Sequence, residues 1–159
     1  MMFRTMRRFR QEMNREDCEA ILRAVPSGVL SLVDENGYPY GVPMNHHYHD
    51  GKLYFHCAAA GHKLDAIRHC ARASFCAVEE NTVIAQRLST RYRSVIAFGE
   101  LRIIEDVEEK RAAIIRLSEH LAPGVSHQHE SGGSLRNLVM LEMTIHHLSG
   151  KQSMDLVNR

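Results

Sequence analysis

Tyr54-Phe55-His56-Cys57-Ala58-Ala59-Ala60-Gly61-His62-Lys63-Leu64 changes local structure within one short stretch. An apolar strand ends, small residues turn the chain, and a helix opens on Gly-His-Lys. Small residues let a ligand come close to the backbone. The first turn of a helix carries unpaired N–H groups and the positive end of the macrodipole, which together favour a phosphate. Lys63 stands in that turn, where the dipole alone disfavours a cation. An anion lying between the helix end and the ammonium would account for it. A surface lysine on a short helix is the alternative.

The flanking sequence reads mostly as strands joined by turns. Upstream, residues 29–33 form an apolar run, Asp34-Glu35-Asn36-Gly37 a turn, and residues 38–48 a second strand. Pro39 and Pro43 within it imply an edge, a bulge or an unpaired backbone face. His49-Asp50-Gly51 then leads into residues 52–56, so three strands make an antiparallel meander. Downstream, residues 62–69 read as a helix with Leu64, Ile67 and Ala71 inward, and residues 73–78 as a strand. Residues 79–86 fit neither pattern. Residues 93–104 alternate, with Val95, Ala97 and Gly99 on one face and Ile96 and Phe98 on the other. Residues 138–145 give the last strand.

Two longer helices frame this pattern. Asn14 caps the first, which carries Ile21, Leu22 and Val25 and stops at Pro26 and Gly28. Asp106 caps the second, from Val107 to about Leu121, with Glu109 at the capping-box position and Ile114, Ile115, Leu117 and Leu121 inward. Residues 123–133 read as a loop. No βαβ alternation is present, which excludes a Rossmann or TIM arrangement. The pattern predicts a six- or seven-stranded antiparallel barrel with three main helices. The 159 residues form one domain with a basic leader (1–13) and a polar tail (149–159).

Composition narrows the function class. The net charge of +1 gives no overall electrostatic case for nucleic acid. The basic leader reads as a solvated segment that packs its Phe and Met residues on the body. No run approaches the roughly 20 apolar residues of a membrane helix, and no apolar stretch follows the leader as a secretory signal requires. Cys18, Cys57, Cys70 and Cys76 are scattered, as expected of reduced thiols in a cytoplasmic protein. Cys57 has no base at motif spacing, which argues against a catalytic thiol. The eleven histidines include His46, His47, His49, His127, His129, His146 and His147. None has the helical spacing or carboxylate partner of a zinc motif, so no metal site is expected.

Several ordered stretches together carry a family likeness: Met6-Arg7-Arg8, Gly37-Tyr38-Pro39-Tyr40-Gly41-Val42-Pro43-Met44-Asn45, the run from Leu53 to Lys63, Tyr92-Arg93-Ser94-Val95-Ile96-Ala97-Phe98-Gly99-Glu100, and Leu148-Ser149-Gly150-Lys151. On these the chain resembles the pyridoxamine 5′-phosphate oxidase-like split-barrel flavoproteins, and within them most closely the nitroimidazole-resistance (Nim-type) group. The resemblance implies a mainly β, antiparallel split β-barrel that binds FMN and works as a homodimer with the flavin at the interface. It implies that Val42, Pro43, Met44 and Asn45 run beside the isoalloxazine, and that His56, Cys57 and Ala58 end the strand below it. Gly61, His62 and Lys63 would hold the phosphate. Arg93, Ser94 and Val95 match a segment that reaches the cofactor from the neighbouring subunit.

The sequence also departs from the oxidase proper. That enzyme has an arginine at the position of Val42 and a basic C-terminal stretch for its phosphorylated substrate, and this chain has neither. Pyridoxamine phosphate is therefore a poor substrate candidate. The expected activity is FMN-dependent reduction of a small electron-poor substrate, with a nicotinamide or other electron donor. The alternatives are a flavin carrier or sensor without turnover, and a split barrel that binds haem or the deazaflavin F420.

Overall fold

The computed structural model describes residues 3–125 and 138–157. Its strands are β1 (Glu12–Met13), β2 (Ser27–Val33), β3 (Pro39–Asn45), β4 (His47–His49), β5 (Lys52–Ala58), β6 (Arg72–Ile84), β7 (Ser89–Ile103) and β8 (Leu138–Gln152). Its α-helices are α1 (Arg15–Ala24), α2 (His62–His69), α3 (Val107–Leu121) and the short α4 (Met154–Val157). None of the described helices is long and apolar enough to cross a membrane.

Local chemistry sets the helix starts. Asn14 Oδ1 accepts from the Asp17 amide at 2.8 Å, and Asp106 Oδ1 accepts from the Glu109 amide at 2.8 Å. Each satisfies a first-turn donor that would otherwise be orphaned. The two tight hairpins are equally local. Asp34 Oδ1 accepts from the amides of Asn36 and Tyr38 at 2.9 and 2.8 Å, and Gly37 takes φ +82° to complete the turn between β2 and β3. Asp50 and Gly51 both adopt positive φ between β4 and β5, as a tight hairpin requires.

All strands belong to one antiparallel sheet with the path β3-β2-β6-β7-β8-β5-β4, and β1 pairs with β8. The path begins and ends on strands that are neighbours in sequence, separated by His46 alone. Laid flat, seven strands would put the two ends about 29 Å apart. One residue cannot span that distance, so the sheet curls until its edges meet as a split β-barrel. The inward faces of β2, β5, β6, β7 and β8 contribute Leu30, Leu32, Leu53, Phe55, Phe75, Val95, Ala97, Leu141 and Met143, with α1 and α2 packed on the same cluster. A second cluster joins α3 to the outer face of β5 and β8 through Tyr54, Ile114, Leu117 and Met140. At its rim, Glu142 is buried and hydrogen-bonded by Arg102 (2.8 Å) and Lys52 (3.1 Å). Burial works against the carboxylate, but hydrogen bonds from Arg102, Lys52 and Tyr54 outweigh it and hold its pKa below the usual range.

The barrel and the two capped helices follow the sequence reading, and several details differ. Residues 38–48 are not one strand. The chain breaks at His46, whose backbone N–H turns to the Pro26 carbonyl at 3.2 Å. The three-strand meander is therefore two hairpins lying at opposite ends of the sheet path. Residues 79–86, which fit neither pattern, extend β6 past a bulge between Val78 and Glu80 to Ile84. Residues 149–152 belong to β8 rather than to a tail, with Ser94 opposite Lys151. Residues 12–13 of the leader pair as β1. Phe3 stacks on His147 at 4.6 Å, as a packed leader should, whereas Phe9 is exposed. On α3 the inward residue is Ala113 rather than Ile115, and Ala71 is exposed. His127, His129 and the rest of that loop from residue 126 lie outside the described residues.

The alternation on β7 holds: Val95, Ala97 and Gly99 are buried, and Ile96 and Phe98 face outward. Gly99 sits where the β7–β8 register shifts, and a β-carbon there would run into the Thr144 carbonyl. Gly99→Ala should therefore lower stability by about 1–3 kcal/mol, the usual cost of overpacking. Urea unfolding followed by far-UV circular dichroism reads this, and an unchanged midpoint would show that the bulge gives way freely.

Candidate functional site

A cavity of about 220 Å³ opens where β3, the end of β5 and the start of α2 converge. Tyr40 and Val42 line it from β3, Cys57 and Ala58 from β5, Ala60 and Gly61 from the turn, and His62, Lys63 and Leu64 from α2. Gly61 is the N-cap of α2 with φ +128° and ψ +167°, a conformation open essentially to glycine alone. Its carbonyl accepts from the amides of Leu64 (2.9 Å) and Asp65 (3.3 Å). Helix geometry leaves the amides of His62 and Lys63 to an acceptor from outside.

The charges at this end are arranged by neighbours. His62 stacks on the Tyr40 ring with centroids 4.3 Å apart, and its Nε2 lies 3.8 Å from Asp34 Oδ2. Asp34 thus ties the β2–β3 turn to the first turn of α2. Burial pushes the Cys57 thiol up, and the Lys63 ammonium offsets this only in part. The thiol stays protonated near neutral pH, which makes Cys57 a wall of the cavity rather than a nucleophile.

Six of the expected contacts meet here: Val42, Cys57, Ala58, Gly61, His62 and Lys63. The others stand elsewhere for geometric reasons. Successive side chains on a strand point to opposite faces, so Pro43 and Asn45 turn away from Val42 and are exposed, whereas Met44 shares the face of Tyr40 and Val42 but is buried in the core cluster and does not line the cavity. His56 faces outward beside Cys57 for the same reason. On β7, Val95 is fully buried, Ser94 lies between Val78 and Lys151, and Arg93 Nη1 pairs with Glu79 Oε2 at 2.8 Å. Arg93 Nε is buried without a hydrogen-bond partner. Within one chain, β7 contributes nothing to the lining of this cavity. Tyr40 was not among the expected contacts, although its period-two spacing from Val42 would have found it. Asp34 gave no local signal, because its contact with His62 is purely tertiary.

The cavity suits part of a phosphorylated cofactor. It offers a lysine, a histidine and free helix-start amides to an anion. At about 220 Å³ it is smaller than the roughly 300–1,000 Å³ of pockets that enclose a whole drug-sized ligand. A flavin held here by its phosphate would extend its ring beyond the cavity, along β3 and the end of β5.

Fold and site together define a split β-barrel with a cavity at the start of α2. The pyridoxamine 5′-phosphate oxidase family model matches residues 14–152, and the chain belongs to that family. No functionally curated protein matches the chain. Among solved structures it resembles a candidate 5-nitroimidazole antibiotic resistance protein from Bacteroides thetaiotaomicron (24% identity, TM-score 0.77, covering 88% of this chain and 85% of that one). It also resembles a flavocytochrome from Azotobacter vinelandii (20%, TM-score 0.76, covering 94% and 72%). A third is an FAD- and haem-binding protein from Mycobacterium smegmatis (24%, TM-score 0.74, covering 91% and 74%). At these identities the likeness shows the shared fold.

Proposed function

We propose that this protein binds FMN, with the phosphate at Gly61, His62 and Lys63, and uses it to reduce a small electron-poor substrate. The observation that carries the reading is the convergence of β3, β5 and α2 on one cavity whose anion-binding end holds Lys63. Bound FMN would supply the redox chemistry, accepting electrons from a donor such as a nicotinamide and passing them to the substrate. The chain's own residues do the holding. Lys63 and the first-turn amides fix the phosphate, the Tyr40–His62 stack closes one wall, and Val42, Ala58 and Ala60 give the small apolar surface that a flat ring can lie on. Resemblance to nitroimidazole-resistance proteins supports the choice of an electron-poor substrate.

Lys63 tests the placement. A charge-assisted hydrogen bond contributes roughly 1.5–3 kcal/mol, so Lys63→Ala should weaken FMN binding about 10- to 100-fold. Riboflavin, which lacks the phosphate, should be almost unaffected. Equal losses for FMN and riboflavin in fluorescence-quenching titrations, or no loss for FMN, would remove the phosphate from this site.

The reading includes a homodimer. Across the outer face of the sheet, Pro43, Val29, Cys76, Ile96 and Ser149 stand in one cross-strand row, and Gly41, Ser31, Ser74, Phe98 and His147 in the next. Val29 and Ile96 are each 40% exposed and Phe98 38%. A second copy laid on this face would cover Val29 and Ile96, beside the Phe3 that already stacks on His147, and bring its own β7, with Arg93, toward the flavin ring that the cavity cannot enclose. Sedimentation equilibrium at micromolar concentration should give a dimer. A monomer that retains stoichiometric FMN would contradict this part of the proposal.

A further inference from the structure

His46 is the sole link between the two edge strands of the barrel, and it is fully buried. Its Nε2 lies 2.9 Å from the Leu22 carbonyl near the end of α1. A carbonyl only accepts, so Nε2 carries the proton, and the neutral ring leaves Nδ1 as an acceptor. That Nδ1 is buried without a partner, and so is Nδ1 of the adjacent His47. The His47 ring stands 5.1 Å from His120 of α3 and 6.0 Å from His49. Several imidazoles are therefore gathered at the point where the barrel closes, two of them with unpaired buried nitrogens. Flavin chemistry makes no use of this arrangement.

The surroundings accept these rings when neutral and resist their charge. From β4 they face His47 and His49, and from α3 His120 and Arg116, all cationic or potentially so. From α1 comes the Leu22 carbonyl, while Arg23 lies over the Tyr48 ring. From β5 comes Tyr54, and from β6 Phe75, against which His46 tilts. Of the carboxylates on the packed elements, Glu19 is engaged with Arg15 and Arg23 and Glu142 with Arg102 and Lys52, and no carboxylate among the described residues, Glu16, Asp17 and Glu119 included, acts on His46 or His47. An added proton has no counter-charge waiting.

We propose that His46 and His47, with His120 packed against His47, form an acid-sensitive latch where β3 passes into β4, and that protonation of His46 and His47 loosens this junction from α1 and α3. Because β3 carries Tyr40 and Val42, opening the junction loosens one wall of the cavity. Release of FMN on acidification rests on the flavin reading above, but opening of the junction does not. Burial, the largest cause, pulls the pKa of His46 down from 6.5 to about 4, outweighing the hydrogen bond to Leu22, and burial also lowers that of His47. A histidine depressed in the folded state contributes stability that is present above pH 6.5 and is lost as pH falls from there through about 4. For His46 alone, linkage favours the open state about 10-fold more at pH 5.5 than at pH 7.5.

Hydrogen–deuterium exchange of the full chain, corrected for intrinsic rates, reads the junction directly. Peptides covering residues 39–49 and the end of α3 should exchange about 10-fold faster at pH 5.5 than at pH 7.5. Peptides from the β6–β7 pairing should change little. His46→Gln keeps a donor for the Leu22 carbonyl without a group that titrates, and it should abolish most of the acid response. Should that variant fail to fold, His47→Phe with His120→Gln should reduce the response. No acceleration at the junction, equal acceleration throughout the sheet, or an unchanged response in the folded variants would overturn the latch. FMN dissociation over the same pH range separates the two readings. A junction that opens in a chain that never binds FMN refutes the flavin reading alone, and a junction that stays closed while FMN is held refutes the latch alone.

Discussion

The sheet path that starts at β3 and ends at β4 leaves the chain little freedom, because His46 alone lies between those strands. The residue must take its backbone out of one hydrogen-bonded ladder and into another within a single step. The Pro26 carbonyl receives its amide and the Leu22 carbonyl receives its ring, so α1 holds the point of closure. Most of the core depends on this. Inward side chains of β2, β6, β7, β8 and β5 meet only because the edges of the sheet have been brought together, and α1 and α2 then pack on that cluster. Closing the barrel also sets β3 beside the end of β5, which creates the cavity.

Much of the molecule is written locally, and those parts were legible. Capping by Asn14 and Asp106, the Asp34–Gly37 turn, the Asp50–Gly51 hairpin and the start of α2 each depend on residues a few positions apart. The alternation of Val95, Ala97 and Gly99 against Ile96 and Phe98 is a property of a single strand. What the sequence did not disclose is tertiary. The break at His46 is invisible because β-forming residues lie on both sides of it, and its partners, the Leu22 carbonyl of α1 and the Pro26 carbonyl beyond that helix, are brought there by the tertiary fold. Continuation of β6 beyond Val78 depends on pairing with β7 at positions rich in charge, where Arg91 and Arg93 meet Glu80 and Glu79. The polar residues 149–152 join β8 because Ile96, Val95, Ser94 and Arg93 lie opposite them.

The candidate site divides in the same way. Physical chemistry singled out Lys63 as a cation placed where a helix dipole prefers an anion, with a surface lysine as the competing reading, and family resemblance suggested the cofactor. A resemblance carried along a strand as a contiguous run could not say which of its residues face the cavity. Alternation on β3 sends Tyr40 and Val42 toward the ligand space and Pro43 and Asn45 away. The contacts on β7 stand apart from the cavity within one chain, which is why the functional reading extends to a second copy. Arg93 pairs with Glu79 through Nη1, and its buried Nε has no hydrogen-bond partner.

The cavity at the start of α2 is the proposed seat of the FMN phosphate. The most direct measurement is the visible spectrum of the protein after purification and reconstitution with FMN, followed by mass identification of whatever denaturation releases. Flavin absorption should survive desalting, and FMN should be released in amounts stoichiometric with the chain. A protein that emerges colourless after reconstitution, or that carries the Soret band of a haem in place of a flavin, would contradict that proposal.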